Sequence, residues 1–484
     1  MQLDIATGFY QSVSKPLAAQ RCINWEPIVP QAGALSTNAL RDVYGIDTRT
    51  LTGDTISGIS RGAQVVNGVP YFVNERSLYS FDSSNVVTDH GTIDGAGRVS
   101  MANNGRYLVI VVPGVKGYVF DNTDSSLVDI TDIDFQVSDT VSFKDGYFIF
   151  TATDGDQFFV SNLNQPLVYS ALDFGSAEVR PDKIIAGFVS PQNELLIFGA
   201  EIIELFQNIG GSGFPFQRVP GATIQKGLRA KFSLVEFDNT LVFLGGAVGE
   251  LTTVWQIGGG GARKISTSAI DNAIQEYTED EIADAFSFSY AYGGNYFVAI
   301  TLESTRIPSR TFVYDATTSA ATSDHVWHER QSGVVDDRWR VAAMVATYGD
   351  LIVADSIDGR IGTLNKDTHT EYGNVIFRQK ASMLFQQDQL HMFVSELKLT
   401  MESGVGTIDG LDPQIGMEFS DDGSRTWSTR YLRSYGKIGQ YEKIPSWRRL
   451  GRVPRNRIVR FTTTEAIESH LLRLDGFGDQ SAQI

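Results

Sequence analysis

Short apolar and aromatic runs, each introduced by a polar turn, recur along most of the chain. Residues 65–73 show the unit: an apolar pair, then Asn67-Gly68, then a second apolar run, with a partner run at residues 77–82. Asn-Gly and Asp-Gly supply the positive φ angles of tight hairpin turns, and β-branched and aromatic residues favour strands. The pattern therefore predicts antiparallel hairpins. Similar units occur at residues 103–110, 144–150, 192–198, 238–244, 293–300 and 348–353.

The spacing of these units predicts the architecture. About seven of them lie between residues 58 and 364, roughly 37 to 56 residues apart. A repeat of this length that carries several strands is typical of propeller blades, which bury their faces by stacking around an axis. An ordinary β-sandwich with regularly spaced hairpins is the alternative, but seven units exceed what one sandwich needs. We predict a mainly β fold that contains a β-propeller of about seven repeats.

Two segments depart from the repeat and suggest how the chain is divided. Residues 266–285 predict a short helical insertion, in which Ser268 caps the start, Ile270, Ile274 and Tyr277 share a face, and Thr278 caps a second turn. From Lys366 onward the repeat is lost and a different β-rich region begins. We therefore predict an N-terminal arm at residues 1–50, a propeller-like domain at residues 51–365 and a C-terminal β-rich docking domain at residues 366–484.

Composition excludes several classes of protein. The 484 residues include one cysteine, which rules out a disulfide scaffold and a cysteine-based zinc or iron–sulfur site. Residues 1–15 carry no secretory signal pattern, and no apolar run approaches the length of a membrane span. The formal charge of −17 argues against nonspecific binding of DNA or anionic lipid over the whole surface.

Few motifs offer catalytic or cofactor chemistry. Residues 258–264 are glycine-rich but fail both the Walker and the dinucleotide spacing, so a loop is favoured over a phosphate site, as it is for residues 210–213. His325 and His328 would point to opposite faces of a strand, which disfavours a metal site. Cys22 fits a small buried apolar residue. We assign no catalytic, cofactor-binding or metal-binding residue.

Residues 420–427, Ser-Asp-Asp-Gly-Ser-Arg-Thr-Trp, resemble the Asp-box turn of sialidase-type propellers. In such a turn the carboxylate binds backbone N–H groups, so the motif indicates a β-hairpin rather than catalysis. Together with the repeats, it motivates an alternative function, a propeller glycan hydrolase that acts on host surface polysaccharide, and a propeller that binds a receptor is a further alternative. A sialidase-type enzyme would show several Asp-boxes and an arginine trio at strand ends, and neither is evident in this sequence.

Several colinear stretches resemble the tail accessory, or packaged-DNA stabilisation, family of short-tailed bacteriophages, whose members form the tail nozzle. The stretches are residues 21–27, 58–62, 97–102, 172–174, 177–178, 181–182, 214–218, 224–227, 265–267, 436–441 and 447–452. The resemblance implies a non-enzymatic structural protein of the virion tail, made in the host cytoplasm and containing a β-propeller. It implies no cofactor and no membrane insertion.

The same resemblance implies partners. Members of the family assemble as a homohexameric ring below the portal and its adaptor ring, retain packaged DNA and serve as the conduit for its ejection. They carry tail fibres, spikes or a needle. Because DNA that passes through such a ring must not adhere, we expect a channel wall that is acidic or neutral, with at most isolated basic rings.

Charge asymmetry near the C-terminus points to a docking surface. Residues 425–460 contain eleven basic residues and one acidic residue, and nine of the eleven are arginines. Arginine suits bidentate pairing with carboxylate or phosphate, and aromatic residues beside arginine are enriched at interfaces. Docking on an acidic neighbouring subunit or the adaptor ring is favoured over contact with DNA in the lumen. The candidate docking residues are Arg433, Lys437, Trp447, Arg448, Arg449, Arg452, Arg455 and Arg457.

Overall fold

The computed structural model describes every residue except 1, 4, 15–17, 31–33, 178, 181, 211, 212, 259, 383, 384, 387–390, 407–410 and 481–484. Seven consecutive antiparallel sheets are followed by a pair of facing sheets near the C-terminus. The predicted propeller of about seven repeats, the β-rich C-terminal domain and the helical insertion are confirmed. Glu178 and Pro181 of the family resemblance lie outside the described residues, as do Gly211, Ser212 and Gly259 of the glycine-rich segments.

The first four sheets, named blades 1 to 4, each contain four sequential antiparallel strands. Blade 1 comprises Ser60–Val66, Val69–Asn74, Ser77–Phe81 and Val86–Thr92, with Thr52–Gly53 added in parallel. Blade 2 comprises Ser100–Asn103, Tyr107–Val112, Lys116–Asp121 and Ser126–Asp129. Blade 3 comprises Ser138–Lys144, Tyr147–Ala152, Gln157–Asn162 and Gln165–Ser176. Blade 4 comprises Ile184–Val189, Leu195–Gly199, Ile203–Asn208 and Phe216–Ile224.

The remaining three blades are less regular. Blade 5 comprises Gly227–Leu228, Val235–Phe237, Thr240–Gly246, Thr253–Gly258 and Gly261–Lys264, with a short 3-10 helix at Lys231–Ser233. Blade 6 comprises Phe286–Tyr292, Asn295–Leu302, Arg310–Asp315 and Val326–Arg330. Blade 7 comprises Val341–Thr347, Asp350–Asp355, Ile361–Asn365 and, from the start of the chain, Gly45–Thr48, with Thr370–Glu371 and Asn374–Val375 beside it.

Tight turns join the strands where the sequence predicts them. Asn67 and Gly68 have φ angles of 50° and 82°, and Asp145 and Gly146 have φ angles of 51° and 89°. Positive φ at both central residues is the requirement of a type I′ hairpin turn, which matches the twist of the flanking strands. The Asn-Gly and Asp-Gly signals therefore mark real hairpins in blades 1 and 3.

The blades close into a ring. The first strand of each blade contacts the neighbouring blade, and Val341–Thr347 of blade 7 contacts Ser60–Val66 of blade 1. Seven apolar clusters separate consecutive blades in the described part of the chain. Gly45–Thr48 pairs antiparallel with Ile361–Asn365 and supplies the outer strand of blade 7. The N-terminal segment thus completes the last blade, where it leaves no unpaired edge on Ile361–Asn365.

The axis of the propeller is crossed by side chains that join non-adjacent blades. Arg98, between blades 1 and 2, donates from Nη2 to the carbonyl oxygen of Ala342 in blade 7 at 2.9 Å. Its guanidinium carbon lies 3.9 Å from the ring centroid of Phe286 in blade 6. Lys231 of blade 5 pairs with Asp139 of blade 3 at 2.6 Å. Protein side chains therefore occupy the axial space where these contacts lie.

The helical insertion lies between blades 5 and 6. Two helices, Ser268–Ile274 and Glu279–Ala283, replace the single stretch predicted for residues 266–285, and a third helix, Ala316–Thr322, escaped prediction. The predicted cap at Ser268 is wrong, because Thr267 accepts the hydrogen bond from the Ile270 backbone N–H. Thr278 caps the second helix through a capping box with Glu281. The predicted apolar face is buried at Ile270, Ile274 and Tyr277.

Two sheets face each other in a β-sandwich. One has the order Ser446–Val453, Met392–Met401, Leu471–Gln480, Ala39–Asp42 and Trp25–Ile28, with Gln2–Leu3 paired to Leu471–Gln480. The other has the order Cys22–Ile23, Arg378–Ala381, Asn456–Thr463, Gln414–Ser420 and Tyr431–Ser434, with Phe385–Gln386 paired to Asn456–Thr463. A single apolar core fills the space between them.

Strands from the first fifty residues join the sandwich to the propeller. Cys22–Ile23 pairs with Val326–Arg330 of blade 6 on one side and with Arg378–Ala381 of the sandwich on the other. A small hairpin of Tyr10–Gln11 and Ala19–Gln20 precedes it. The predicted domain limits at residues 50 and 365 stay a prediction, and the predicted arm contributes strands to both parts of the fold.

Candidate docking surface

The basic segment occupies the edge of the sandwich that lies farthest from the propeller. Tyr431–Ser434 and Ser446–Val453 are the last strands of the two sheets, whereas Cys22–Ile23 and Trp25–Ile28 form the opposite edges beside blade 6. Four strand spacings, or roughly 19 Å, separate Cys22–Ile23 from Tyr431–Ser434. We call the surface formed by the exposed residues between 430 and 455, together with Phe393, the distal edge.

The strand Ser446–Val453 sends its arginines outward. Trp447, Leu450 and Val453 are buried, and the pairs between them, Arg448 with Arg449 and Gly451 with Arg452, are exposed. This spacing departs from strict alternation because the register shifts opposite Val394–Glu396. Arg449 has a φ of 59° and Gly451 a φ of 75°, as expected at a β-bulge. The bulge lets neighbouring arginines face solvent from one strand.

Arg457 fixes the bulge from inside. Its Nη1 donates to the carbonyl oxygen of Leu450 at 2.7 Å and its Nη2 donates to that of Arg452 at 3.2 Å. The same guanidinium pairs with Asp421 and lies 4.0 Å from the ring centroid of Phe419. Because Arg457 is only 2 % exposed, it does not contact a partner directly and instead holds the exposed strand in position.

Trp447 also lies inside the sandwich. It is 1 % exposed, and its Nε1 donates to the carbonyl oxygen of Tyr431 at 2.8 Å, which joins the last strands of the two sheets. Its ring centroid lies 5.4 Å from that of Phe461 in the core. The other six predicted docking residues are all exposed. They are Arg433, Lys437, Arg448, Arg449, Arg452 and Arg455.

Exposed apolar side chains lie among these cations, and none of them is among the predicted docking residues. Tyr441 is 71 % exposed and Leu432 is 50 % exposed. The remaining exposed apolar residues of the distal edge are Phe393, Tyr431, Ile438 and Ile444. Tyrosine and arginine surrounded by aliphatic residues are characteristic of interface hot spots. In the sequence, these exposed residues could have been recognised because they lie between cations in a segment that lacks the periodicity of a buried strand.

Most cations of the distal edge lack an internal counter-ion. Arg448 pairs with Glu396 at 2.9 Å, and hydrogen bonding from Arg448 lowers the pKa of Glu396. In the described ranges no ion pair engages Lys437, Arg449, Arg452 or Arg455. Exposed cations without partners keep their full charge for an external anion, so the distal edge can bind a carboxylate-rich protein surface or phosphate.

Hydrogen bonds hold the loop that carries Tyr441. The backbone N–H of Gly439 donates to the carbonyl oxygen of Gly404 at 3.1 Å. The hydroxyl of Ser403 donates to the carbonyl oxygen of Lys443 at 2.7 Å. Tyr435, at the start of the loop, is fully buried. Such fixed loops lose little conformational entropy when they bind a partner.

The other candidates from the sequence lie in structural positions. His328 is fully buried, and burial lowers its pKa to about 3, whereas His325 lies beside Tyr314. Burial raises the pKa of the Cys22 thiol to about 11, and its Sγ donates to the carbonyl oxygen of Trp25. Gly258 and Gly261 pair where two strands of blade 5 meet. Across the residues that the structure describes, no group of three or more His, Cys, Asp or Glu side chains could hold a metal ion.

The Asp-box-like segment forms the predicted turn. The carboxylate of Asp422 accepts hydrogen bonds from the backbone N–H groups of Arg425 and Thr426 and from the hydroxyls of Ser420 and Thr426. The hydrogen bonds from Thr426 hold the pKa of Asp422 well below its usual range. The turn lies between Gln414–Ser420 and Tyr431–Ser434, so this carboxylate stabilises a connection of the sandwich.

Comparison with known protein families decides the assignment. Residues 1–369 match the family model described as bacteriophage P22 Gp10, β-propeller, and residues 377–475 match the one described as bacteriophage P22 Gp10, β-sandwich. The chain belongs to the bacteriophage P22 Gp10 family. The resemblance inferred from the sequence is thereby confirmed, and the protein is a structural component of the virion tail of a short-tailed phage. Within the described residues, no helix is both long and apolar enough to cross a membrane.

A curated relative agrees with this assignment. The tail hub protein gp10 of Salmonella phage P22 is 25 % identical over 435 residues, which cover 87 % of each chain. Among solved structures, the computationally designed protein Ika8 has 15 % identity and a TM-score of 0.37, covering 72 % of this chain and 99 % of its own. A chain of the mitotic checkpoint complex has 11 % identity and a TM-score of 0.40, covering 70 % of this chain and 98 % of its own. TM-scores this low support no inference about function.

Proposed function

We propose that this member of the P22 Gp10 family is a non-enzymatic tail nozzle subunit. It forms a ring, homohexameric in our proposal, below the portal and its adaptor ring. The ring retains packaged DNA and later serves as the conduit for ejection. Membership of a family that contains a tail hub protein supports this role, and the propeller supplies a rigid body with seven packed interfaces between blades.

The observation that carries the proposal is the chemistry of the distal edge. The six exposed cations predicted for docking and six exposed apolar residues lie on the side of the sandwich that faces away from the propeller. Surfaces of this composition bind proteins, because apolar area supplies affinity and charge supplies orientation. In the proposed tail, the distal edge docks this chain to a protein neighbour in the ring or to the adaptor. Fibres, spikes or a needle then bind elsewhere on the same subunit.

The conduit in this proposal lies between subunits. The axis of each propeller is occupied by Arg98 and by the Lys231–Asp139 pair, so a duplex has no room there. A channel enclosed by several subunits avoids this obstacle. We expect its wall to be acidic or neutral, because a strong hold on phosphate would slow ejection. A continuous lysine and arginine lining in the assembled ring would contradict that expectation.

Charge reversal on the distal edge tests the proposal. Phage that carry Arg448→Glu together with Arg449→Glu should assemble capsids without this ring, as seen by electron microscopy of purified particles. A matched control reverses Arg76 and Arg106, two exposed arginines of the propeller, and should leave assembly unchanged. Normal ring assembly with altered DNA retention in the distal-edge variant would instead assign these arginines to DNA contact.

A further inference from the structure

The outer rim of blade 3 exposes an unusual strand. Gln165–Ser176 spans twelve residues and pairs with a neighbouring strand on one side only. Its register shifts between the pairs Phe159↔Phe174 and Ser161↔Tyr169, so residues 170–173 bulge outward. Leu172 at this bulge is 81 % exposed, and Leu167 on the same strand is 41 % exposed. A long edge strand with exposed apolar residues is normally covered in a mature protein.

The loop between blades 2 and 3 extends this apolar surface. Asp132 accepts a hydrogen bond from the backbone N–H of Tyr169 at 3.2 Å, and the ring centroid of Phe135 lies 5.0 Å from that of Tyr169. These contacts hold the loop against the rim strand. Between them, Ile133 is 97 % exposed. An isoleucine so fully exposed on an anchored loop has no role in the core of the monomer.

Acidic residues lie close to these apolar residues in the sequence. Residues 121–139 contain six aspartates and no lysine or arginine. Three of the six pair with cations elsewhere, whereas no ion pair in the described part of the chain engages Asp124, Asp132 or Asp134. The same holds for Asp173 on the rim strand. We call Ile133, Asp134, Leu167, Leu172 and Asp173 the rim patch.

The rim patch and the distal edge have complementary chemistry. Each combines exposed apolar residues with unpaired charges, negative on the rim patch and positive on the distal edge. Residues 51–365 hold 38 acidic and 20 basic residues, so the net charge of the propeller segment is also opposite to that of the distal edge. We infer that the distal edge of one copy of this chain docks on the rim patch of the next copy. The inference rests on the proposed ring and names the contact that builds it.

The geometry of such a contact fits a ring. Two different surfaces of one chain meet, which is a heterologous contact, and heterologous contacts close into rings when the rotation between copies permits it. The separation of the two surfaces favours this arrangement, because the distal edge lies on the sandwich, which joins the propeller at blade 6, and the rim patch lies on blade 3, three blades away. A self-complementary contact would instead produce a dimer with two-fold symmetry.

The acidic helical insertion is a poorer acceptor. Glu276, Glu279 and Asp280 are exposed there, but the apolar residues of the insertion point into the cluster between blades 5 and 6. None of the exposed large apolar residues found in the described ranges falls within 266–285. The insertion therefore offers charge without apolar area, whereas the rim patch offers both. This difference makes the insertion a matched control.

A charge swap tests the contact. Arg448→Glu with Arg449→Glu, and separately Asp134→Arg with Asp173→Arg, should each lower ring assembly more than about tenfold, since like charges that meet at an interface repel each other. Combining the four changes should restore assembly to within about twofold of the parent. Combining the arginine reversals with Glu279→Arg and Asp280→Arg should not.

The outcomes separate this inference from the proposed function. Failure of the rim swap to restore assembly, or restoration by the insertion swap, would overturn the rim contact and leave the ring proposal standing. Unimpaired assembly of the Arg448→Glu, Arg449→Glu variant would overturn both the rim contact and the docking role of the distal edge. Thermal unfolding of each purified variant verifies that the fold is intact.

Cysteine cross-linking gives an independent measurement. The chain has one cysteine, Cys22, which is fully buried, so introduced thiols react cleanly. In assembled tails, Leu172→Cys together with Arg449→Cys should yield a ladder of covalent oligomers with a short bis-maleimide. Each single variant should yield no ladder. Assembled tails in which the double variant gives no ladder, or in which Glu279→Cys with Arg449→Cys gives one, would contradict the inferred contact.

Discussion

The buried guanidinium of Arg457 binds the carboxylate of Asp421 at two points, with Nε–Oδ1 and Nη2–Oδ2 distances of 2.6 and 2.7 Å. The carboxylate neutralises the arginine, and the remaining N–H groups are free to hold the carbonyl oxygens of Leu450 and Arg452. One ion pair thus connects the Asp-box-like turn to the strand that carries the exposed arginines.

Removal of this arginine should destabilise the sandwich and disorder the distal edge. We expect Arg457→Met to lower the free energy of unfolding by about 2–4 kcal/mol, because Asp421 and two carbonyl oxygens lose their donor. Chemical denaturation measures the effect. Arg455→Met, at an exposed position two residues away, is the control and should stay within about 0.5 kcal/mol of the parent. If both substitutions lowered the free energy of unfolding equally, the buried contacts of Arg457 would not contribute to stability.

The helical insertion should tolerate no charge on its buried face. Ile274 is 1 % exposed in the cluster between blades 5 and 6. Ile274→Asp should cost more than about 4 kcal/mol, through a lost apolar side chain and a buried carboxylate without a partner, and should abolish soluble expression. Gln275→Asp introduces the same carboxylate at the adjacent exposed position and should cost about 1 kcal/mol at most. A soluble, normally folded Ile274→Asp protein would contradict the observed packing.

Stability should depend on pH through a carboxylate at the junction of propeller and sandwich. Asp42 accepts from His369 and His470, each at 2.9 Å, and lies 3.5 Å from Arg378. Burial opposes ionisation of Asp42, but hydrogen bonds from the two histidines and the charge of Arg378 hold its pKa well below the usual range. Burial likewise opposes the charged form of His470, but the hydrogen bond to Asp42 raises its pKa.

These shifts define a window of pH. The raised pKa of His470 stabilises the fold fully below the ordinary histidine pKa of about 6.5, and this contribution is lost as pH rises through the folded value. The lowered pKa of Asp42 stabilises the fold above about pH 4, and that contribution is lost as pH falls. Urea denaturation should therefore show more stability at pH 5.5 than at pH 8.5, through the protonated form of His470. The difference should shrink in His470→Gln, and an unchanged difference would exclude His470 as its source.

The strand that closes the propeller should contribute strongly to stability. Ile46 is fully buried and pairs with Leu364 of blade 7. Ile46→Ala should lower the free energy of unfolding by about 2–4 kcal/mol, since it removes core volume at the closing strand. The control is Thr48→Ala at an exposed position, which should change the free energy of unfolding little. Asp47→Ala is unsuitable, because Asp47 accepts hydrogen bonds from Asn365 and Thr368. Hydrogen exchange should show blade 7 as the region most affected.

Local patterns in the sequence predict much of this fold. Asn67-Gly68 marks a turn because only certain residues adopt positive φ, and Ile270 with Ile274 marks a helix because their spacing matches one turn. The pairing of Gly45–Thr48 with Ile361–Asn365 could not be predicted from such patterns. The periodicity of a strand does not identify a partner strand more than 300 residues away.

The docking surface was partly predictable for a similar reason. The excess of arginine at residues 425–460 is visible as composition, but the burial of Trp447 and Arg457 depends on which face of each strand meets the core. A β-bulge at Arg449 interrupts the alternation of buried and exposed residues, so the sequence pattern does not show which face of the strand meets the core. Ile133 and Leu172 look like ordinary core residues in the sequence, because their exposure follows from the loop and bulge that carry them.

The early position of Gly45–Thr48 in the chain has a consequence for biosynthesis. This segment leaves the ribosome long before Ile361–Asn365, the strand it must cover. At about 5–20 residues per second, the wait lasts on the order of 15–60 s. During that time blades 1 to 6 can form in order of translation, while Gly45–Thr48 remains without its partner strand. Completion of the propeller is therefore a late event for the nascent protein, set by the time of translation rather than by the speed of hairpin formation.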